Sequence, residues 1–385
     1  HHSSHQEDAE TADLPLIVGI DTFHNETNAY ADYLVPDPCM YEVWGGFSSA
    51  WAGVLTRMST ARWPAVAPRQ EKSAAGEPVC MELFVIEVAK RMGLPGFGEG
   101  AIPGADGTLH PLNTPEDYYL RLAANVAWFG GDVLPSPSER DIALSGIGRI
   151  LPDIARVLPP EERGPVAYAY SRGGRFAPYG ASYAGDAVKA KWEKALQIYN
   201  EEAAQAINSQ TGRRYDGTPR CKPPLVTDGR ALRDIWSEAE YPLLMTSFKS
   251  SLINSYAVVS ERLLAIKPVN MVMLHSDDAK RLGLAPGALA RIASPAGSAV
   301  ARVVVGETVM PGVVAVEHGF GHTALGAADV EIDGRVVRAA RQAAAGFCIN
   351  DLTPPDPTRR GASTLLEHEY GSAARQGIPV RVEKA

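Results

Sequence analysis

Apolar positions along this chain follow two different periods, and the change of period divides it. Leu14–Ile20 is an apolar run rich in β-branched residues, the pattern of a buried strand. The polar stretch from Asp21 follows, helical over about Glu26–Asp32, before Leu34-Val35-Pro36 resumes an extended segment. Met81–Met92 carries apolar residues at helical spacing and stops at Gly93 and Pro95. Thr114-Pro115-Glu116-Asp117 opens a second helix reaching about Trp128, because proline is favoured just inside a helix start. Pro64–Gly76 and the Gly- and Pro-rich stretch 93–115 read as loops. Val166–Phe176 reads as a strand entering a glycine turn flanked by Arg172 and Arg175. Asp186–Ile207, with Asp186 as its cap and alternating charge, predicts the longest helix.

Beyond a Pro219–Pro224 linker the apolar period shortens to two. Leu289–Val305 predicts a hairpin turning at Pro295-Ala296-Gly297, and Pro311-Gly312 begins another strand. From Pro242 to Gly321 the order is strand, polar loop, short helix, hairpin, strand, polar loop, which suits a small barrel better than a doubly wound sheet. The expected organisation is a polar leader at 1–13, an α/β region at 14–224 and a β-rich domain at 225–385.

Composition narrows the function classes. The 385 residues are 45% hydrophobic and 21% charged, as in soluble globular domains. A net charge of -8 argues against a nucleic-acid partner, which calls for a basic field. No apolar run approaches the roughly 18 residues of a membrane span, and no signal-peptide apolar core precedes Leu14. Cys39, Cys80, Cys221 and Cys348 lie too far apart in sequence to suggest an iron–sulfur or structural zinc motif. G-x-G-x-x-G, Walker and G-x-S-x-G motifs are all missing.

The candidate chemistry lies in loops rich in Ser, Asn, Lys and Gly, where small side chains and bare N–H groups let an anion approach closely. Asp21 and Thr22 either cap the following helix or occupy a strand-end ligand crevice. Glu317-His318-Gly319-Phe320-Gly321-His322 reads as a zinc site or as a glycine-rich ligand loop. Its glycines oppose the helix on which an i, i+4 histidine pair would converge. Glu367-His368-Glu369 reads as a solvated turn. The loops Asn350–Asp356 and Gly371–Gly377 offer side chains that either read a base edge or cap their own backbone. Arg172 and Arg175 either grip an anion or are ordinary turn arginines.

Taken together, Ile20–Asp37, Val269-Asn270, Asp277-Asp278-Ala279, Leu282-Gly283 and Pro311-Gly312 resemble the C-terminal part of the large subunit of molybdopterin oxidoreductases of the dimethyl sulfoxide reductase family. The segments Arg172–Phe176, Thr246–Ser251, Asn254–Leu263, Glu317–His322 and Ala373–Gly377 are similar to its tetrathionate-reducing branch, with thiosulfate, polysulfide and arsenate reductases as relatives. The resemblance implies the remainder of an α/β domain followed by a double-psi β-barrel. It implies a bis(molybdopterin guanine dinucleotide) cofactor carrying Mo or W. Thr246, Ser247, Lys249, Ser250, Asn254 and Ser255 would form one wall, Glu317, His318 and Gly319 a second, and Asn350, Asp351, Arg375, Gln376 and Gly377 a third. Arg172 and Arg175 would steer a sulfur oxyanion substrate. The family's molybdenum ligand and 4Fe–4S cysteines match none of the four cysteines here, so a fragment inactive by itself is expected. The implied setting also holds an iron–sulfur electron-transfer subunit, a membrane anchor subunit, plus export to the periplasm on an upstream twin-arginine leader. A non-catalytic ligand-binding or assembly module is the alternative of another class.

Overall fold

The computed structural model describes residues 14–49, 58–104, 107–128, 131–189, 198–209, 211–254, 260–324, 327–332, 334–338, 345–359, 364–368 and 371–385. It resolves into two compact units, one from the described residues within 1–17, 24–31 and 197–385, the other from those within 18–23 and 32–196. The sequence boundary near 224 therefore falls inside the first unit.

That first unit is a closed six-stranded barrel. Around it run Leu243–Phe248, Val313–Glu317, Val272–His275, Ser298–Gly306, Leu289–Ala293 and Gln376–Lys384, the last returning to the first. Two neighbouring pairs are parallel and the rest antiparallel, the mixed barrel that the resemblance implies. Alternate residues point inward: Leu243 and Met245, Val272 and Leu274, Ala290 and Ile292, Val314 and Val316, Ile378 and Val380 share one core. The expected hairpin pairs Leu289–Ala293 with Ser298–Ala301 and Arg302 around the predicted turn.

The second unit is mainly helical. Pro115–Ala127 starts in a capping box, Thr114 Oγ1 accepting from the Asp117 N–H at 3.3 Å while Asp117 Oδ2 accepts from the Thr114 N–H at 2.9 Å. Ser138 and Asp141 repeat the device at Glu139–Ser145, which ends on left-handed Gly146. Leu120, Ala123, Ile147, Ile154, Val166 and Tyr170 form its core.

Several expectations change. Val166–Ser171 is not a strand but the end of a helix over Pro160–Ser171, and only Gly174–Phe176 is extended. Val166, Ala167, Ala169 and Tyr170 are buried at helical spacing, so packing overrides the alternation of Ala and Tyr. Pro160 with Glu161 and Glu162 in the first turn is the start signal that this alternation obscures. The stretch 93–115 is not all loop, since Gly98–Pro103 pairs with Leu109–Leu112. Of the helix expected over Asp186–Ile207, residues 190–197 lie outside the described residues. Ala187–Val188 is extended, and a short helix, Glu201–Gln205, is capped by Asn200. Glu26–Asp32 contains only a 3-10 turn at Asn28–Tyr30.

Candidate cofactor-binding rim of the barrel

Parallel pairing fixes where the polar loops emerge. Leu243–Phe248 and Val313–Glu317 run side by side with Phe248 opposite Glu317, so Lys249 and His318 leave the same end of the barrel. The His318 N–H donates to the Phe248 carbonyl at 3.1 Å and holds the two exits together. Gln376–Lys384 is antiparallel to the first strand and brings Arg375, Gln376 and Gly377 to that rim.

Gln376 acts as a clasp there. Its Oε1 accepts from Thr246 Oγ1 and from the Ser247 N–H at 3.1 Å, while Nε2 donates to the Ser247 carbonyl at 3.0 Å. Its amide is thus engaged within the barrel. Ser250 Oγ accepts from the N–H groups of Leu252 and Ile253, so this hydroxyl shapes its own turn. Lys249 is exposed and Arg375 half-buried. Together with burial, the charges of Arg375 and Lys249 push the His318 imidazole below its usual range and favour its neutral form; burial is the largest cause.

Gly377 is glycine for a packing reason, since a Cβ would lie 2.6 Å from Pro224 Cγ. Asn350 and Asp351 lie in the Ile349–Leu352 turn, and a Cβ on Gly297 would come 2.9 Å from the Asp351 carbonyl. Among the described residues, no hydrogen bond or ion pair joins this turn to Arg375–Gly377. Ser255 lies outside the described residues, and Asn254 is exposed.

Strand parity gives Glu317 a different setting from its neighbours. Val316 points into the barrel, so Glu317 points away from the core, where it is only 1% exposed and paired through Oε2 with Lys267. Its Oε1 has no hydrogen-bond partner among the described residues. Three residues missed from sequence build this region. Asn270, 2% exposed, donates to the carbonyls of Glu317 and Phe347 at 3.0 and 2.9 Å and accepts from the Phe347 N–H. Lys267 neutralises Glu317. Glu26 Oε1 receives the N–H groups of Thr323 and Ala324 at 2.8 and 3.0 Å and lies 3.1 Å from His322 Nδ1. An Asn just before a strand was visible, but nothing local marked its partners.

No group of three or more potential metal ligands occurs among the described residues, and His322 is engaged by Glu26. In the other unit Arg175 donates to the carbonyls of Val126, Ala127 and Asp132 and pairs with Asp132, while Arg172 pairs with Asp141 at 2.9 Å. Both arginines are thus tied into their own unit. A cavity of about 220 Å³ in that unit is walled by Trp44 and Tyr119 and lined by Glu42, Glu77, Glu82, Glu116 and Asp153 against one Arg149, a poor host for an anion. The barrel rim is the opposite kind of surface. Lysine, an arginine whose Nε lacks a partner among the described residues, and neutral His318 with a buried, unpartnered Nε2 fit an anionic ligand that also carries N–H and C=O edges.

Residues 252–365 match the Molydopterin dinucleotide binding domain. The chain is 45% identical over 371 residues to a tetrathionate reductase subunit from Salmonella typhimurium, covering 96% of this chain and 36% of that protein. It is 30% identical over 406 residues to a selenate reductase subunit from Mesobacillus selenatarsenatis, covering 97% and 37%. Acetylene hydratase from Pelobacter acetylenicus shares the fold, with a TM-score of 0.51 at 17% identity over 96% of this chain and 40% of that one. The chain spans a little more than a third of the length of these curated relatives. No described helix is long and apolar enough to cross a membrane. With a dinucleotide-binding match over 252–365, which holds four of the six barrel strands, and relatedness along nearly its whole length, the chain belongs to the molybdopterin oxidoreductases of the dimethyl sulfoxide reductase family.

Proposed function

We propose that this chain supplies cofactor-binding walls to the large subunit of a tetrathionate-reducing enzyme that splits tetrathionate, with two electrons, into two thiosulfates. The observation that carries the binding role is the convergence of Lys249, His318 and Arg375 on one rim of the barrel, with His318 inside the matched domain and the other two just beyond its ends. The substrate follows from the 45% identical relative. When bound, bis(molybdopterin guanine dinucleotide) supplies the electron chemistry at Mo or W, and the protein supplies orientation and electrostatics.

In this reading Lys249 and Arg375 offset the charge of the diphosphate. His318, kept neutral, offers its open ring nitrogen without adding charge. Thr246, Ser247, Ser250, Asn254, Ser255, Gly319 and Gly377 form the close backbone and hydroxyl surface. Gln376 clamps that surface in place. Glu317 acts from beneath by fixing Lys267, and Asn350 and Asp351 join Arg375, Gln376 and Gly377 as a third wall. The metal ligand and a 4Fe–4S cluster belong to parts of the subunit other than this chain. An iron–sulfur partner subunit, a membrane anchor subunit, a periplasmic site reached by a twin-arginine leader and a role in anaerobic respiration complete the proposal.

The test is Lys249→Ala in the full-length subunit, with molybdenum and guanine measured after purification. Both should fall together. Wild-type content of both would remove Lys249, and the rim reading with it.

A further inference from the structure

The Glu26–His322 contact lies outside the walls assigned above and has a directional consequence. Three groups converge on one carboxylate oxygen: the Thr323 N–H at 2.8 Å, the Ala324 N–H at 3.0 Å and His322 Nδ1 at 3.1 Å. Glu26 is far away in sequence, so this oxygen fixes a turn that local sequence does not encode. The turn is also held from its other side. The Gly321 N–H donates to the Ala345 carbonyl at 3.1 Å, and a Cβ on Gly321 would lie 2.3 Å from the Cys348 backbone nitrogen. The segment 321–324 is thus pinned between Glu26 and 345–348.

Burial pushes the Glu26 carboxyl up, but the hydrogen bonds from His322, Ala324 and Thr323 outweigh it and hold the group far below the usual carboxylate range. Glu26 is therefore an anion, and an anion opposite Nδ1 needs a proton on that nitrogen. In a ring that carries a single proton, Nδ1–H leaves Nε2 as an acceptor. That Nε2 is buried and has no hydrogen-bond partner among the described residues.

We infer that Glu26 is a positioning residue that locks the Nδ1-protonated tautomer of His322, making His322 Nε2 an acceptor for an N–H of the ligand at this rim. The matching chemistry is a 2-amino-pyrimidinone edge, an N–H beside an amino group, which guanine and pterin share. An unfilled buried acceptor is costly, and a ligand N–H removes that cost. This inference rests on the rim reading above, and its test separates the two.

The first measurement is long-range proton–nitrogen NMR of the full chain, which reports the tautomer without any ligand. The wild type should show His322 protonated at Nδ1, and Glu26→Ala should lose that preference. Nε2 protonation in the wild type overturns the inference. The second measurement titrates guanosine diphosphate and, separately, 6-hydroxymethylpterin. His322→Asn keeps a donor to Glu26 but removes the distal acceptor, whereas His322→Gln keeps an acceptor near the Nε2 position. With the probe that His322 contacts, His322→Asn should bind about tenfold more weakly and His322→Gln should recover most of the loss. The responding probe identifies which ring sits there. Equal binding by wild type and His322→Asn, with Lys249→Ala weakened toward guanosine diphosphate, overturns the acceptor role and leaves the rim reading intact. A wild type that binds neither probe overturns both.

Discussion

The two units make their architecture in different ways. In the helical unit the polar contacts that set segment ends are local: Thr114 with Asp117 and Ser138 with Asp141, each three residues apart. In the barrel unit they are remote. Asn270 ties Glu317 to Phe347, Gln376 clasps Thr246 and Ser247, and Glu26 caps 322–324. Local contacts start helices, whereas remote ones place loops from distant strands on one rim. The difference teaches where function can be built. In the barrel unit the unpartnered polar atoms of His318, His322 and Arg375 lie on or beside loops that remote contacts hold.

The sharpest way to break this comparison is to remove one contact of each kind. Asn270→Ala leaves the carbonyls of Glu317 and Phe347 and the Phe347 N–H without their partner in a buried site, and should cost about 3 kcal/mol in urea unfolding. It should also weaken guanosine diphosphate binding. Thr114→Ala removes only one cap and should cost about 1 kcal/mol without affecting that binding. Comparable costs, or a binding loss in Thr114→Ala, would erase the distinction.

A smaller and finer contrast lies in two glutamates. Glu26 is held below the ordinary carboxylate range, so its contribution to stability is present above the unfolded value near 4.3 and is lost as the pH falls toward the folded one. Glu116 is the reverse. Burial raises it most, its bond from Trp44 Nε1 at 2.9 Å compensates only in part, and its Oε2 has no partner among the described residues. Its folded value lies above the unfolded one, so its charged form is a burden that grows as the pH rises through the folded value. Relative to their Gln variants, wild-type stability should therefore drift in opposite directions as the pH falls from about 6 to about 4, through the value of an unfolded Glu: downward for Glu26, upward for Glu116. Parallel drifts in the two difference profiles would show that the hydrogen bonds at Glu26 do not outweigh its burial.

Legibility in the sequence followed the same division. The caps at Thr114 and the hairpin at Leu289–Val305 could be read because the residues that decide them are neighbours. Val166–Phe176 misled because alternating Ala and Tyr imitates a strand, while Pro160 and the surrounding core decide for helix. Lys249, His318 and Arg375 were legible as polar residues at strand ends, and barrel pairing explains why they share a rim. The roles of Glu317 and Gln376 were not legible, because strand parity and a partner 129 residues away determine them.

By itself the sequence determined the helix starts at Met81 and Thr114, the hairpin at Leu289–Val305, a barrel of short strands and the polar character of the loops between them. Those properties depend on neighbours within a few residues, where backbone geometry and side-chain periodicity suffice. Only the tertiary structure decided that Glu26 would meet His322, that Asn270 would join two loops and that Glu317 would face away from the barrel core. Each depends on which strands lie side by side, and closing the barrel is what brings residues so distant in the chain within hydrogen-bonding reach.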